Sequence, residues 1–336
     1  MKAAIYMGKE NIEVRNIPTP ECGDDDVLIQ NIYSSICGTD AAVYKHGPNT
    51  GHRIAVGGEF GHETVSRVAA VGKNITQFRV GDRVYPYPLY AKNDTKRAGT
   101  IGGFSEYILV PQAKRNHSLY GVPEEIPDRL ACLIEPFTVG CRAARRSQPA
   151  EREKAIVFGC GTIGLAAAVA LKFFGMDKVM ICDYSDFRLN IAQELGFIVC
   201  NTGKKNLAEE AEAYLGEAPS LTGQTMDADV FLDAAGDESI LEQFMARGKI
   251  GSRFVSVAVN NSARKLDLLH LTYAQKSIIG SGGYFPEDVW DVMEIMKSNR
   301  WELERIITHE FSINEIARAI QTAADSDHAF NVTIRF

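Results

Sequence analysis

Lys154-Ala155-Ile156-Val157-Phe158-Gly159-Cys160-Gly161-Thr162-Ile163-Gly164 is the stretch that decides the fold. An apolar run, Ala155 to Phe158, meets three glycines spaced G-x-G-x-x-G, and an alanine-rich run without breakers continues to Gly175. A second apolar run, Val179 to Cys182, then ends on Asp183. The order spells strand, tight turn, helix, strand, acid. Gly159 makes the turn, Gly161 lets backbone approach a pyrophosphate, and Gly164 lets the helix pack close on the strand. The phosphates of a dinucleotide sit on the unpaired N–H groups and positive end of the helix that opens near Thr162. Asp183, about 20 residues beyond the last glycine, is placed to accept the hydroxyls of the adenine ribose. The bland alternative reads Ala155 to Leu171 as a membrane span, but early glycines and flanking lysines leave it too short and broken for that.

Downstream, apolar runs and helical patterns alternate. Strands are expected at Ile198–Cys200, Asp229–Asp233, Phe254–Val257 and Ile278–Ser281, with helices at Phe187–Leu195 and Ser239–Ala246 between them. This is the rhythm of a doubly wound parallel sheet. Upstream the pattern differs. Met1–Met7, Val27–Tyr33, Glu63–Val71 and Phe104–Val110 read as strands separated by Gly or Pro, which predicts an antiparallel region. A long helix is expected over Asp128–Arg146, kinked at Pro136. The tail, with helices at Glu287–Ser298 and Ile313–Ala324 and a strand at Val332–Ile334, is expected to return to the first domain. The chain therefore divides into 1–142 completed by 285–336, and 143–284.

Composition bounds the function. At 336 residues there is room for two cores, and 24% charged with 45% hydrophobic residues describes a soluble globular protein. A net charge of −7 without a basic run disfavours nucleic-acid partners. The N-terminus lacks the apolar core of a signal peptide. The 7 cysteines form no C-x-x-C pair, which suits the cytoplasm, where a Cys is a ligand, a nucleophile or a small core residue.

Cys37 in Cys-Gly-Thr-Asp, His62-Glu63 in Gly-His-Glu, and Glu135 in Glu-Pro-Phe supply thiolate, imidazole and carboxylate. That set suits catalytic zinc with one position left open. Asp40 is a reasonable acceptor for the other nitrogen of His62. Singly, each residue has a plainer reading: Cys37 as core, His62 as a hydrogen-bonded structural residue, Glu135 as a solvated helix residue. Their combination favours the metal.

These motifs, with Val71-Gly72, Val80-Gly81-Asp82-Arg83-Val84 and the glycine turn, resemble the zinc-dependent medium-chain dehydrogenases, most closely their threonine, sorbitol and butanediol dehydrogenase branch. The resemblance spans essentially the whole chain. It implies a GroES-like antiparallel β-barrel carrying the metal, a Rossmann domain carrying NAD, and an active site in the cleft between them. It implies catalytic zinc on Cys37, His62 and Glu135, with Glu63 able to exchange with it, and Thr39 as the hydroxyl that takes the alcohol proton. It further implies that Ile163, Asp183 and Arg188 meet the cofactor, joined by backbone at Val257, Ala258, Val259, Ser281 and Gly282. The expected activity is reversible hydride transfer between NAD and a secondary alcohol or polyol, a small-molecule substrate, in a homodimer or homotetramer.

Three positions depart from the family pattern. Ala42 stands where relatives carry a proton-relaying His, so water, Tyr44 or His46 takes that part. No Cys lies between Tyr85 and Gly103, where relatives hold a structural zinc, so one metal per chain and a differently stabilised lobe are expected. Ser66 replaces a common Gly. A fixed charge at Asp183 repels a 2′-phosphate and favours NAD over NADP. Tyr284, Phe285 and Trp290 line the substrate cleft or pack a core, and Arg142, Arg145 and Arg146 read as a solvated face. Two other functions suit the same scaffold: a metal-free enoyl or quinone reductase, which would not need Cys37, His62, Glu63 and Glu135 together, and a nucleotide-binding regulator without turnover.

Overall fold

The glycine-rich segment opens a sheet of six parallel strands. Their order is Ile198–Asn201, Lys178–Asp183, Lys154–Phe158, Val230–Asp233, Arg253–Ser256 and Ser277–Gly280. The order reverses between Lys154–Phe158 and Val230–Asp233, and a crevice for ligands forms at such a switch point beyond the carboxyl ends of the strands. Ala155, Ile156, Val157, Phe231 and Leu232 are completely buried, as strands covered on both faces require. The computed structural model describes residues 1–48, 50, 54–92, 101–259 and 262–336. They form two units, Met1–Glu135 with Met296–Phe336, and Pro136–Ile295. Among the described residues no helix is long and apolar enough to cross a membrane; Ala155 to Leu171 divides into a strand and the helix Thr162–Phe173.

In the first unit the strand Val27–Ser35 is central. It pairs antiparallel with Glu63–Val71 along its length, with Tyr107–Val110 near its start and with Asn331–Arg335 at its end. Asn331–Arg335 in turn pairs parallel with Ile307–Ser312, an exception to the antiparallel expectation. The tail does return here from Met296 onward: Ile313, Ile316 and Ile320 join Tyr6, Val43 and Phe60 in one core. The helix Pro286–Lys297 does not, since its residues up to Ile295 belong to the second unit.

Several local expectations change. The helix expected over Asp128–Arg146 is two, Asp128–Ala131 and Ile134–Arg146. Pro136 causes no kink because it lies in the first turn of the second helix, where an N–H has no intrahelical partner to lose. The helix Ile134–Arg146 crosses the expected 142/143 join, and both expected joins fall inside the second unit. Arg142 and Arg145 are not a solvated face. Arg145 Nε donates to Asp288 Oδ1 at 2.9 Å and its Nη2 pairs with Asp291, while Arg142 lies 3.7 Å from Asp288 and 4.2 Å over the ring of Phe285. Asp288 is fully buried, so these cations compensate a charge that would otherwise be costly to bury.

Candidate active site: a donor cluster and a nucleotide pocket

Two strand ends and a helix start bring the metal candidates together. Val27–Ser35 ends two residues before Cys37, and Cys37 caps the helix Gly38–His46. His62 and Glu63 stand where the neighbouring strand begins, and Glu63 is the cross-strand partner of Ser35. Donor atoms of Cys37, His62 and Glu63 consequently lie within 4.8 Å of one another. Glu135 is buried at the start of Ile134–Arg146 and close enough to Asp40 to act on its charge, but it falls outside that mutual distance.

Asp40 holds one of the donors and faces another. Its Oδ2 accepts the Cys37 N–H at 3.0 Å, and its Oδ1 lies 3.7 Å from His62 Nδ1. Thr39 Oγ1 donates to Cys37 Sγ at 3.1 Å. Burial raises all three acids here. It pushes the Cys37 thiol well up, helped by Glu63 and Asp40 and opposed by Thr39. Asp40 is pushed up to about 8 by burial and by Glu135, against the Cys37 N–H. Glu63 is pushed up to about 8 by burial and by Asp40, against hydrogen bonds from Ser35 and Cys37. Crowded buried acids are costly as anions unless a cation joins them. Oε2 of Glu63 is buried without a hydrogen-bond partner, as is Oδ1 of Asp40. A sulfur, a nitrogen and an oxygen donor with an unsatisfied carboxylate oxygen fit a zinc ion.

Of the candidates for proton relay, Tyr44 is packed in the core and its hydroxyl accepts from Gln321 at 3.1 Å. His46 is exposed, one turn beyond Ala42 at the end of the same helix. In the lobe lacking cysteines, the described residues stack rings: Tyr87 on Tyr90 at 5.0 Å, Tyr90 on His117 at 4.2 Å, and Tyr85 and Tyr87 against Tyr120 at 6.1 Å. Residues 93–100 of this lobe, and 49 and 51–53 of the loop after the first helix, lie outside the described residues.

In the second unit each glycine of the turn meets a different constraint. Gly159 has φ +96°, a conformation that a side chain strains. A Cβ on Gly161 would meet only Arg188 Nη1, at 3.9 Å, so the backbone there is open to a ligand. A Cβ on Gly164 would lie 1.8 Å from the Gly159 carbonyl oxygen. The helix Thr162–Phe173 starts from Gly161 without a side-chain cap, so the positive end of its dipole faces the turn. Asp183 is held by backbone: Oδ2 accepts from Cys160 N at 2.5 Å, and Oδ1 from Tyr184 N at 2.7 Å and Ser185 N at 2.8 Å. These take three of the about four lone-pair positions on a carboxylate.

Asp183 and Gly159 line a cavity of about 320 Å³ that also takes in Tyr184, Thr202, Ser239 and Arg247. Thr202 directly follows the strand Ile198–Asn201, so a rule that looks past the end of each successive strand would have found it. Arg188 is half-buried and its N–H is bound by Ser185 Oγ at 3.3 Å. The N–H groups of Val257 and Ala258 donate to Asp233 O, and Val259 is exposed. Ser281 Oγ is buried without a hydrogen-bond partner, and Gly282 beside it leaves open space. Tyr284 is buried, whereas Phe285 and Trp290 are exposed.

The second unit carries a cavity at the switch point of its parallel sheet, and the first carries a buried donor triad. Residues 23–123 match the alcohol dehydrogenase GroES-like domain, and residues 162–298 match the zinc-binding dehydrogenase model. An L-threonine 3-dehydrogenase of Yersinia enterocolitica is 28% identical over 333 residues, 94% of each chain. The 2R,3R-butanediol dehydrogenase of Bacillus subtilis superposes with a TM-score of 0.85 at 24% identity, covering 100% of this chain and 99% of that one. A short chain alcohol dehydrogenase of Escherichia coli CFT073, solved with NADH, gives 0.83 at 25% identity with the same coverage. The chain belongs to the zinc-dependent medium-chain dehydrogenases of the alcohol dehydrogenase superfamily, and its activity is nicotinamide-linked oxidoreduction of an alcohol.

Proposed function

We propose that this protein oxidises a secondary alcohol or polyol to the ketone, reversibly, with NAD and one zinc ion held by Cys37, His62, Glu63 and Glu135. The convergence of the Cys37, His62 and Glu63 donors within 4.8 Å carries the reading. When bound, zinc acts as a Lewis acid, lowering the pKa of a ligated water from ~15.7 to about 7 and affecting an alcohol similarly. Asp40 holds the backbone of Cys37 and faces His62 Nδ1. Thr39, hydrogen-bonded to the Cys37 sulfur, takes the alcohol proton, which leaves through water or His46. The absence of cysteines from Tyr85 to Gly103, with tyrosine stacking in their place, supports a single metal. The names of the relatives put L-threonine and 2,3-butanediol first among substrates to try.

NAD is the cofactor, because three backbone N–H groups fix the Asp183 carboxylate and stop it swinging away from a 2′-phosphate. Zinc-loaded protein is expected to form NADH from such alcohols with kcat/KM at least about tenfold above that for NADP, the ratio that 1.4 kcal/mol of like-charge repulsion gives. Absorbance at saturating alcohol reads both rates. Turnover that survives complete metal removal, or metal-free alkene reduction with NADPH, would refute the proposal, and a preference for NADP would refute the role of Asp183.

We place the protein in the reducing cytoplasm, which its seven free thiols support and cell fractionation tests. A homodimer or homotetramer is supported by the edge strand Ser277–Gly280 and by Leu268, Leu269 and Tyr273, which are 65%, 68% and 68% exposed on a helix that buries no residue. Light scattering is expected to read a multiple of the 36.9 kDa chain; the single-chain mass would remove the proposal.

A further inference from the structure

We infer that Ser35 and Asn331 are positioning residues for Glu63, holding its carboxylate so that one oxygen stays turned to the metal. This rests on the zinc reading above. Ser35, the last residue of Val27–Ser35, is the register partner of both Glu63 and Thr333. Asn331 lies two residues before Thr333, on the same face of the sheet. The three side chains therefore line up across three strands, and all are buried: Glu63 2%, Ser35 0% and Asn331 3% exposed.

The direction of the hydrogen bonds follows from the donor inventory. Asn331 Nδ2 donates to Ser35 Oγ at 2.9 Å. An amide NH₂ can only donate, so the hydroxyl is the acceptor there and its own proton is left for another partner. That partner is the Glu63 carboxylate, which stands directly opposite Ser35 across the strand pair and accepts the hydroxyl's hydrogen bond. Oε1 of Glu63 lies 4.0 Å from His62 Nε2, a carboxylate oxygen of Glu63 belongs to the donor group shared with Cys37 and His62, and Oε2 has no hydrogen-bond partner. Hydrogen bonds behind a metal ligand fix its orientation and charge, and their loss weakens metal affinity about 10–100-fold. The tail of the chain, 296 residues from Ser35, thus reaches into the metal site without supplying a ligand.

Cobalt(II) binding to metal-stripped full-length protein tests this. Ser35→Ala removes the donor. Asn331→Asp keeps the shape but offers only acceptors, drawing the hydroxyl proton away from Glu63. Each is expected to weaken Co²⁺ affinity about 10–100-fold and to shift the visible ligand-field bands of the cobalt-loaded protein. Ser34→Ala is the control: Ser34 is equally buried but donates to Gly103 O, so its loss should lower Tm and leave affinity and spectrum alone. Unchanged affinity and spectrum in Ser35→Ala would overturn the inference, and so would the same changes in Ser34→Ala. If Asn331→Asp does not fold, Ser35→Ala decides alone. A wild-type protein that binds no Co²⁺ with a thiolate charge-transfer band would overturn the zinc reading itself, and this inference with it.

Discussion

Cys37→Ala is expected to empty the metal site and lower kcat/KM at least about 10³-fold. Lewis-acid assistance supplies several kcal/mol of transition-state stabilisation, and each 1.36 kcal/mol is tenfold in rate. The thiolate is the donor with the most support: Thr39 donates to its sulfur, and Asp40 holds its backbone N–H. Its loss leaves an imidazole and carboxylates in a pocket shaped for a softer set. Zinc content after gel filtration and NADH formation on a good alcohol check the two halves of the expectation. Cys141→Ala is the companion, a fully buried thiol on the helix Ile134–Arg146 outside the donor group, and it should keep both metal and turnover. A Cys37→Ala protein with one zinc per chain and wild-type rate would show that the cluster is a structural core and nothing more.

What could be read from the sequence was what neighbours in sequence decide. The glycine turn and its flanking strands lie within one short stretch, and Glu63–Val71 has the expected bounds because Thr64, Val65, Val68 and Val71 favour a strand locally. The helix Gly38–His46 gave little signal: it mixes small, polar and charged residues, and it depends on its cap, where Asp40 accepts the Cys37 N–H. The hairpin of Glu217–Ser220 with Gly223–Met226 also escaped, since strands that short and polar read as loop. The helix Leu268–Tyr273 buries no residue, so it has no amphipathic pattern to find. At the site the same limit applies over longer range. Arg142 and Arg145 look solvated until Asp288 and Asp291, more than 140 residues on, arrive beside them. Ser35 and Asn331 carry no motif at all, and only the register of three strands brings them to Glu63.

The glycine turn yields the other large effect, and it separates folding from cofactor binding. Gly164→Ala is expected to destabilise the second unit by about 3 kcal/mol or more, the upper range for inserting an atom where packing is complete. That lowers Tm by roughly 10 °C in a domain of this size. The new Cβ would lie 1.8 Å from the Gly159 carbonyl oxygen and 3.0 Å from its carbon, so backbone rather than a flexible side chain would have to move. The helix Thr162–Phe173 must then lift from the turn, and NAD affinity falls with it. Gly161→Ala should behave oppositely. Its Cβ meets nothing nearer than Arg188 Nη1 at 3.9 Å, so stability is expected to hold, while the methyl group stands where a pyrophosphate must approach. NADH fluorescence titration is expected to show about tenfold or greater weakening for Gly161→Ala at unchanged Tm, because displacing the phosphates from the helix N-terminus forfeits at least one charge-assisted hydrogen bond. Equal Tm for wild type and Gly164→Ala would mean the helix does not press on the turn. Wild-type NADH affinity in Gly161→Ala would mean that the phosphates of the cofactor lie elsewhere.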